Sequence, residues 1–377
     1  MSLTPKEVAR FHRHLILNEF GSEKQERLKN SSVLVVGAGG LGSPVLLYLA
    51  AAGVGKIGIV DSDNVDNSNL QRQVIFDEAD IGKNKAEAST WALHKKNSLS
   101  SYRSYPFRIT SENALELMKG YNIVVDCTDN FATRYLLNDA CVLLGIPLVY
   151  GSILKFEGHV AVFNLTTAEG YSSNYRDIFP EPPDPVSVPN CEQAGVIGIL
   201  PGIIGCLQAN EVLKVLTGIG EPLADKLLIF DALYLDQTIV SIKSLNSRAQ
   251  ITSLIDYEAF CSNSKTDHKQ NTMKEITVQE LKEMMDSGAD FQLIDVREPH
   301  EYDICNLEGE LIPQAEIPRN VEKISRDKKV VVHCRSGARS GNMVQWLEAN
   351  HKFENLYNLK GGILAWAREI DPEMPSY

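Results

Sequence analysis

The sequence has no CxxC pair, no block of basic residues, no uninterrupted apolar run of bilayer length and no GxxxxGK[ST] motif. Its seven cysteines are scattered at long intervals, which argues against a disulfide framework and against a zinc site built from cysteine pairs. Lys and Arg number 37 against 49 Asp and Glu, a formal net charge of −12. So acidic a chain is a poor candidate for nucleic acid or an anionic membrane surface. The longest apolar stretches, Val45–Val54 and Val196–Leu207 (broken by Pro201), fall short of the roughly 20 residues a helical span needs. The start, MSLTPKEVARFHRH, lacks the apolar core of a signal peptide, so a cytoplasmic location is expected. The missing GxxxxGK[ST] excludes a P-loop nucleotide enzyme. What is present is 377 residues, 44% hydrophobic and 23% charged, enough for two or three domains with real cores.

Residues 166–190 contain five prolines and little periodicity, and read as a long irregular loop of functional kind. Residues 262–272, SNSKTDHKQNT, have no apolar member and read as solvated linker. The division expected is a first domain over 1–245, a connecting stretch over 246–273 and a second domain over 274–377. In the first, the pattern predicts strands at Ser32–Val36, Lys56–Val60, Ile123–Asp126 and Pro147–Tyr150. Helices fall between them, running to Val54 and over Ala86–Asn97 and Ala132–Leu144. That alternation implies a parallel, doubly wound α/β sheet. Later strands are expected at Glu157–Leu165 and Leu227–Ile242, with a buried helix over Ile203–Leu216. The second domain alternates again, with helices at Thr277–Ser287 and Ser340–Ala349 and strands at Gln292–Val296 and Lys329–His333. Both domains are α/β.

Gly37-Ala-Gly39-Gly40-Leu-Gly42 follows a strand and opens a helix, the context that gives GxGxxG its meaning. The glycines admit a phosphate close to the backbone, and the helix start offers unpaired N–H donors. Asp61, at the end of the next strand, is placed to accept from ribose hydroxyls. Alone this predicts an NAD or FAD enzyme. The run that follows, Ser68-Asn69-Leu70-Gln71-Arg72-Gln73, then Lys85, then Asp126-Cys-Thr128-Asp129-Asn130, shifts the balance. Two cations, amides and a carboxylate suit a triphosphate better than a hydride-transfer pocket. Arg72 and Lys85 would neutralise phosphate oxygens and Asp129 would hold Mg²⁺.

Residues 7–245 resemble the adenylating enzymes that activate ubiquitin-like sulfur carriers, the molybdopterin-synthase adenylyltransferase and ThiF (E1-like) group. The matching pieces are Arg10-Phe-His-Arg13-His-Leu-Ile-Leu, GAGGLG, Ser68–Arg72, Lys85, Asp126–Asn130 and Cys191-Glu-Gln-Ala-Gly-Val. The resemblance implies a Rossmann-like homodimer that transfers AMP from ATP to the C-terminal Gly-Gly carboxylate of a small carrier protein. It gives Arg13 the role of reaching the partner subunit's ATP, where a cation would stabilise charge on departing pyrophosphate. It makes Cys191 the thiol of a mobile crossover loop, attacking the acyl-adenylate or resolving a sulfur intermediate. Cys127, Cys141 and Cys206 sit in apolar patterns and read as core. Relatives usually carry two CxxC pairs that hold a structural zinc. Here the first reads Asn174-Tyr-Arg-Asp177-Ile-Phe-Pro, and residues 244–256 contain no cysteine. Zinc is therefore not expected, and a more weakly held Pro-rich loop is.

In the second domain, Val330-Val-Val-His333-Cys334-Arg335-Ser336-Gly337-Ala338-Arg339-Ser340 is a strand, a tight loop and a helix start. Such a loop aims backbone N–H groups at the Cys334 sulfur, and Arg335 and Arg339 alongside would favour an anionic sulfur, thiolate or persulfide. The segment resembles a rhodanese domain over about residues 274–370, supported by Leu293-Ile-Asp295-Val-Arg297-Glu298 and Gly361-Gly362-Ile-Leu-Ala-Trp366. A Cys-dependent phosphatase would carry CxxxxxR; here only four residues separate Cys334 from Arg339, a loop sized for sulfur. Asp295, Arg297 and Glu298 are expected to brace the loop, and Cys305 to pack.

Together these expectations describe adenylation of a Gly-Gly carrier followed by sulfur transfer from a Cys334 persulfide to form a thiocarboxylate. A cysteine desulfurase or thiosulfate would charge Cys334. Carriers of molybdopterin, thiamine, tRNA-thiolation and cysteine-forming pathways all present that terminus. The competing readings are a carrier-binding scaffold, or a nicotinamide or flavin oxidoreductase with a sulfur-handling tail.

Overall fold

Strand β1 (Ser32–Val36) is buried on both sides, Val33 and Val35 in one core cluster and Leu34 and Val36 in the other. A continuous apolar run is what a central parallel strand with both faces covered requires. The computed structural model describes residues 2–168, 170–183, 195–243, 245, 247–262 and 273–375. Apart from Pro183, the described residues up to 262 form one unit and those from 273 a second.

The first unit opens with α1 (Pro5–Leu15), started by a Thr4–Glu7 capping box with Pro5 in the first helical turn, and α2 (Gly21–Lys29). After β1 come α3 (Gly42–Ala52), β2 (Lys56–Val60), α4 (Lys85–Lys96), β3 (Ser101–Tyr105), α5 (Ala114–Met118) and β4 (Ile123–Asp126). They are followed by α6 (Phe131–Leu144), β5 (Leu148–Leu154), β6 (Glu157–Phe163), the short pair β7 (Thr166–Thr167) and β8 (Gly170–Tyr171), and α7 (Tyr175–Ile178). The unit ends with α8 (Ile199–Thr217), β9 (Lys226–Asp231), β10 (Asp236–Ser241) and α9 (Tyr257–Ser262). The sheet order is β10-β9-β6-β5-β4-β1-β2-β3.

The run from β3 through β2, β1 and β4 to β5 is parallel, but β5–β6, β6–β9 and β9–β10 are antiparallel. The expected parallel sheet is thus mixed. Only Lys155 and Phe156 separate β5 from β6, too short a link for a crossover. The apolar run Leu227–Ile242 likewise splits at Ala232–Leu235 into the β9–β10 hairpin.

Helix α8 corrects a second expectation, because it is long and apolar enough to cross a membrane by length and composition. Gln208 and Asn210 interrupt its apolar run, so run length alone underestimates it. Leu200, Ile204, Ala209 and Val212 are buried in the core cluster with Val33 and Val35, the setting of a core helix.

The second unit contains β11 (Glu275–Ile276), α10 (Val278–Asp286), β12 (Phe291–Asp295), α11 (Pro299–Ile304), β13 (Glu310–Leu311), β14 (Lys329–His333), α12 (Ala338–His351), β15 (Leu356–Leu359) and α13 (Gly362–Glu369). Its sheet, β11-β15-β14-β12-β13, is parallel throughout, with β14 in the middle. The carboxyl end of β14 delivers Cys334.

Candidate active sites

The first site forms where β1 ends. Gly37 has φ of +94°, and a Cβ there would lie 2.6 Å from the Cys127 carbonyl oxygen. A Cβ on Gly42, the first residue of α3, would lie 2.1 Å from the Gly37 carbonyl oxygen, so both positions demand glycine. The turn borders a cleft of about 750 Å³ whose wall includes Gly37, Gly39, Gly40, Asp61, Gln71, Arg72, Lys85, Asp129 and Asn130. Gly42, Ser68, Asn69 and Leu70 are not in the wall. Ser68 gives its N–H and hydroxyl to the Asp66 carboxylate at 2.8 and 2.6 Å, fixing the turn that presents Gln71 and Arg72.

Lys85 is buried, and its ammonium lies 3.1 Å from Oδ2 of Asp63. Arg72 donates to the Ser68 carbonyl at 3.0 Å. Asp61 accepts from the N–H groups of Ala38 and Asp63 at 2.8 and 2.9 Å. Burial raises the Asp61 pKa, with those two N–H groups and Lys85 working against it. A carboxylate offers about four acceptor sites, so Asp61 keeps capacity for ribose hydroxyls. Asp129 is exposed at the mouth, and Asn130 caps α6 by accepting from Thr133 N–H at 2.9 Å. Beneath them the fully buried Asp126, its pKa also raised by burial, holds the N–H and hydroxyl of Thr128 at 2.9 and 2.7 Å. Asp129 shares the cleft wall with Arg72 and Lys85, a lining compatible with a Mg²⁺ held between a carboxylate and phosphates.

Gln73, from the run after Asp61, lines the cleft too, as do Phe107, Arg108 and Ile109 after β3 and Arg134, which were not singled out as site residues from the sequence. The Oε1 atom of Gln73 is buried with no hydrogen-bond partner among the described residues. Arg13 is exposed on α1 and is not in the cleft wall of its own chain. Cys191 lies outside the described residues, as do residues 184–190 at the end of the Pro-rich stretch, whereas the stretch expected to be irregular throughout forms β7, β8 and α7 within residues 166–178. Burial pushes the thiols of Cys127 and Cys141 well up, in keeping with core roles, and that of Cys261 up to about 11.

The positions where relatives hold zinc do not fit the ion. Nδ2 of Asn174 donates to Ser247 Oγ at 2.7 Å and to Asp177 Oδ2 at 3.1 Å. The other Asp177 oxygen accepts from Ser247 Oγ at 2.8 Å and Leu245 N–H at 2.9 Å. An amide N–H faces the centre where a cation would need a lone pair, and both carboxylate oxygens are engaged. Hydrogen bonds join the two segments instead. Among the described residues no other cluster of His, Cys, Asp and Glu could hold a metal.

The second site is built on Cys334, which is almost wholly buried. Gly337 N–H reaches its sulfur at 3.2 Å and the Ser340 hydroxyl at 3.4 Å. The start of α13 holds the loop from behind: Ile363 and Leu364 N–H bond the carbonyls of Cys334 and Arg335 at 2.9 and 3.1 Å. Since a trans peptide sets N–H opposite C=O, this turns the N–H groups of Arg335 and Ser336 the other way. A Cβ on Gly362 would lie 2.5 Å from both carbonyl oxygens. Ser336 and Ala338 are exposed along the loop, as is Arg335. Arg339, however, turns to Glu301, placing both Nη groups on its carboxylate at 2.7 and 2.6 Å. Asp295 and Arg297 form a fully buried ion pair at 2.6 Å beneath the loop, and Glu298 starts α11, its N–H on Glu301 at 3.0 Å. Cys305 is buried beside the Arg297 guanidinium.

The sequence pattern of the ThiF family matches residues 11–251, and that of the rhodanese-like domain residues 277–369. The chain belongs to the ThiF family. This ThiF-family chain is 45% identical over 380 residues to the probable adenylyltransferase/sulfurtransferase MoeZ of Mycobacterium tuberculosis, covering all of this chain and 97% of that protein. It is 41% identical to the adenylyltransferase and sulfurtransferase MOCS3 of Aedes aegypti, over all of this chain and 90% of that one. The sulfur carrier protein adenylyltransferase of Thermus thermophilus matches 69% of the chain at 51% identity, and 99% of its own length is covered. Among solved structures, PaaA superposes with a TM-score of 0.55 at 23% identity, over 65% of this chain and 76% of that one. That likeness shows the fold of the ThiF unit. The full-length relatives carry both transferase names, which disfavours the scaffold and oxidoreductase readings.

Proposed function

We propose that this protein, an adenylyltransferase and sulfurtransferase, converts the C-terminal Gly-Gly carboxylate of a ubiquitin-like sulfur carrier into a thiocarboxylate. The observation that carries the reading is the pairing, on one chain, of a cleft lined by Arg72, Lys85 and Asp129 with a loop that directs N–H and O–H groups onto Cys334.

In the first reaction a carboxylate oxygen of the carrier bonds to the α-phosphorus of ATP as the bond to the β-phosphate bridge breaks and pyrophosphate leaves. Gly37–Gly40 admit the phosphates, Asp61 accepts from the ribose, and Arg72 and Lys85 offset charge on the departing oxygens. Asp129 would hold Mg²⁺, which neutralises phosphate charge when bound. In the second reaction the outer sulfur of a Cys334 persulfide bonds to the acyl carbon as the C–O bond to AMP breaks. A thiol, the role proposed for Cys191, then attacks the inner sulfur, releasing the thiocarboxylate and leaving a disulfide. We take the working form to be a cytoplasmic homodimer in which Arg13 serves the partner's nucleotide, with a cysteine desulfurase or thiosulfate as sulfur source. The acidic chain supports neither a membrane nor a nucleic-acid partner.

Intact-mass measurement tests this. Candidate Gly-Gly carriers are incubated with the protein, ATP, Mg²⁺ and thiosulfate. Exchange of one oxygen for sulfur on a carrier is the expected result; carriers that gain neither AMP nor sulfur overturn the reading.

A further inference from the structure

The Ser340 hydroxyl carries one proton and has three acceptors in reach. Oδ1 of Asn358 is at 2.6 Å, the Gly337 carbonyl at 3.2 Å and the Cys334 sulfur at 3.4 Å. The Gly337 carbonyl already accepts the Gly341 N–H at 3.0 Å. All of this is out of water: Ser340 is 0% exposed, Cys334 1% and Asn358 3%. Asn358 lies on β15, opposite Val332 of β14, two residues before Cys334. A buried amide on an interior strand is unusual, and here its oxygen accepts at 2.6 Å from the Ser340 hydroxyl that also touches the reacting sulfur.

We propose that Asn358 is a positioning residue that competes with Cys334 for the Ser340 proton. With a neutral thiol the proton rests on Asn358, because the short oxygen–oxygen bond is the stronger one. When the sulfur becomes a thiolate, the charged acceptor draws the hydroxyl over, since hydrogen bonds to ions outweigh neutral ones. The inner sulfur is charged at two moments: just before it takes sulfur from a donor, and when it leaves as thiolate, either as cyanide takes the outer sulfur or as a thiol reductant reopens the disulfide left by the carrier reaction. Ser340 thus serves Cys334 as nucleophile and as leaving group, and Asn358 sets how much of that help reaches it. The other groups around the sulfur keep fixed charge near neutral pH. His333 is buried and neutral, Arg339 is paired with Glu301, Asp295 with Arg297, and Arg335 is a permanent cation on the loop.

The inference rests on Cys334 being the sulfur carrier, and two measurements on the full chain separate the two ideas. Cyanolysis of the persulfidated protein tests the carrier role: cyanide takes the outer sulfur as thiocyanate and Cys334 leaves as thiolate. Alkylation of Cys334 by iodoacetamide, followed on its own peptide by mass spectrometry from about pH 5 to 9, tests the relay. Ser340→Ala should slow alkylation at neutral pH about tenfold and move its profile to higher pH, the worth of one hydrogen bond to an ion. Asn358→Leu, close in volume and without an acceptor, should act oppositely, speeding alkylation and moving the profile to lower pH. In the double variant Asn358→Leu should add nothing to Ser340→Ala. Melting curves confirm that each variant is folded; if Asn358→Leu is not, Asn358→Val, suited to a strand and also without an acceptor, replaces it with the same direction expected. Shifts of the same sign for Ser340→Ala and Asn358→Leu, or an undiminished Asn358 effect in the Ser340→Ala background, overturn the relay.

Discussion

Arg339 gives both Nη groups to the Glu301 carboxylate, and neither side chain is more than a tenth exposed. The arginine that closes the Cys334 loop therefore acts as a strut between α12 and α11. Glu301→Ala strands a buried guanidinium, which should cost about 3 kcal/mol or more. Chemical denaturation of the full chain should show the second unit unfolding earlier, with the first-unit transition unmoved.

Lys85 separates the two chemistries. Lys85→Ala removes the buried ammonium of the first site, so ATP-dependent AMP transfer should fall by about a hundredfold or more. Cyanolysis of the Cys334 persulfide in the same variant should match the parent. Cys334→Ala should give the reverse pattern, with pyrophosphate release intact and thiocarboxylate absent.

His333 predicts an acid-labile second unit. Burial lowers its pKa from 6.5 to about 4, outweighing the opposing pull of Asp295 and the Cys334 backbone. Asp295 lies 3.6 Å away, but Arg297 engages both of its oxygens. The folded form thus resists protonation that the unfolded chain accepts. Stability from this group is complete above about pH 6.5 and lost as pH falls toward 4, on the order of 3 kcal/mol in all. His333→Phe should flatten the urea midpoint across that window.

The hydrogen-bonded joint of Asn174, Asp177 and Ser247 should be indifferent to chelators. Incubation with EDTA or phenanthroline should leave the melting temperature unchanged, and elemental analysis should find zinc well below one per chain. Asp177→Ala should destabilise the first unit by about 2 kcal/mol, because it strips acceptors from buried donors.

Both reactive turns were legible because each is local: a β-rich apolar run, a glycine turn and a helix start lie within a dozen residues. GAGGLG needs glycine where a Cβ would strike the Cys127 or Gly37 carbonyl, and CRSGARS needs it at Gly337, with φ of +92°. The residues missed come to the sites from elsewhere in the chain. Phe107–Ile109 follow β3, whose sequence SYRSY is too polar to announce a strand, and Asn358 sits in the four-residue β15. Arg134 resembles any helix arginine until α6 is docked, when it lies against Phe131 and the Thr128 carbonyl. Residues 247–262, read as connecting stretch, join the first unit because Tyr257 reaches Asp139 at 2.8 Å and Ser247 reaches Asp177. Those partners are 118 and 70 residues apart along the chain, and no periodicity encodes them.

The 3.1 Å contact between Lys85 and Asp63 means that the nucleotide cleft already contains an anion of its own. A phosphate arriving there replaces a counter-ion instead of meeting a bare charge. On the proposed reading, entry would be an exchange in which the ammonium changes partner and Asp63, already largely open to solvent, is left to water. The cleft stays electrostatically quiet between turnovers, and a weakly charged metabolite has little to gain by displacing the incumbent.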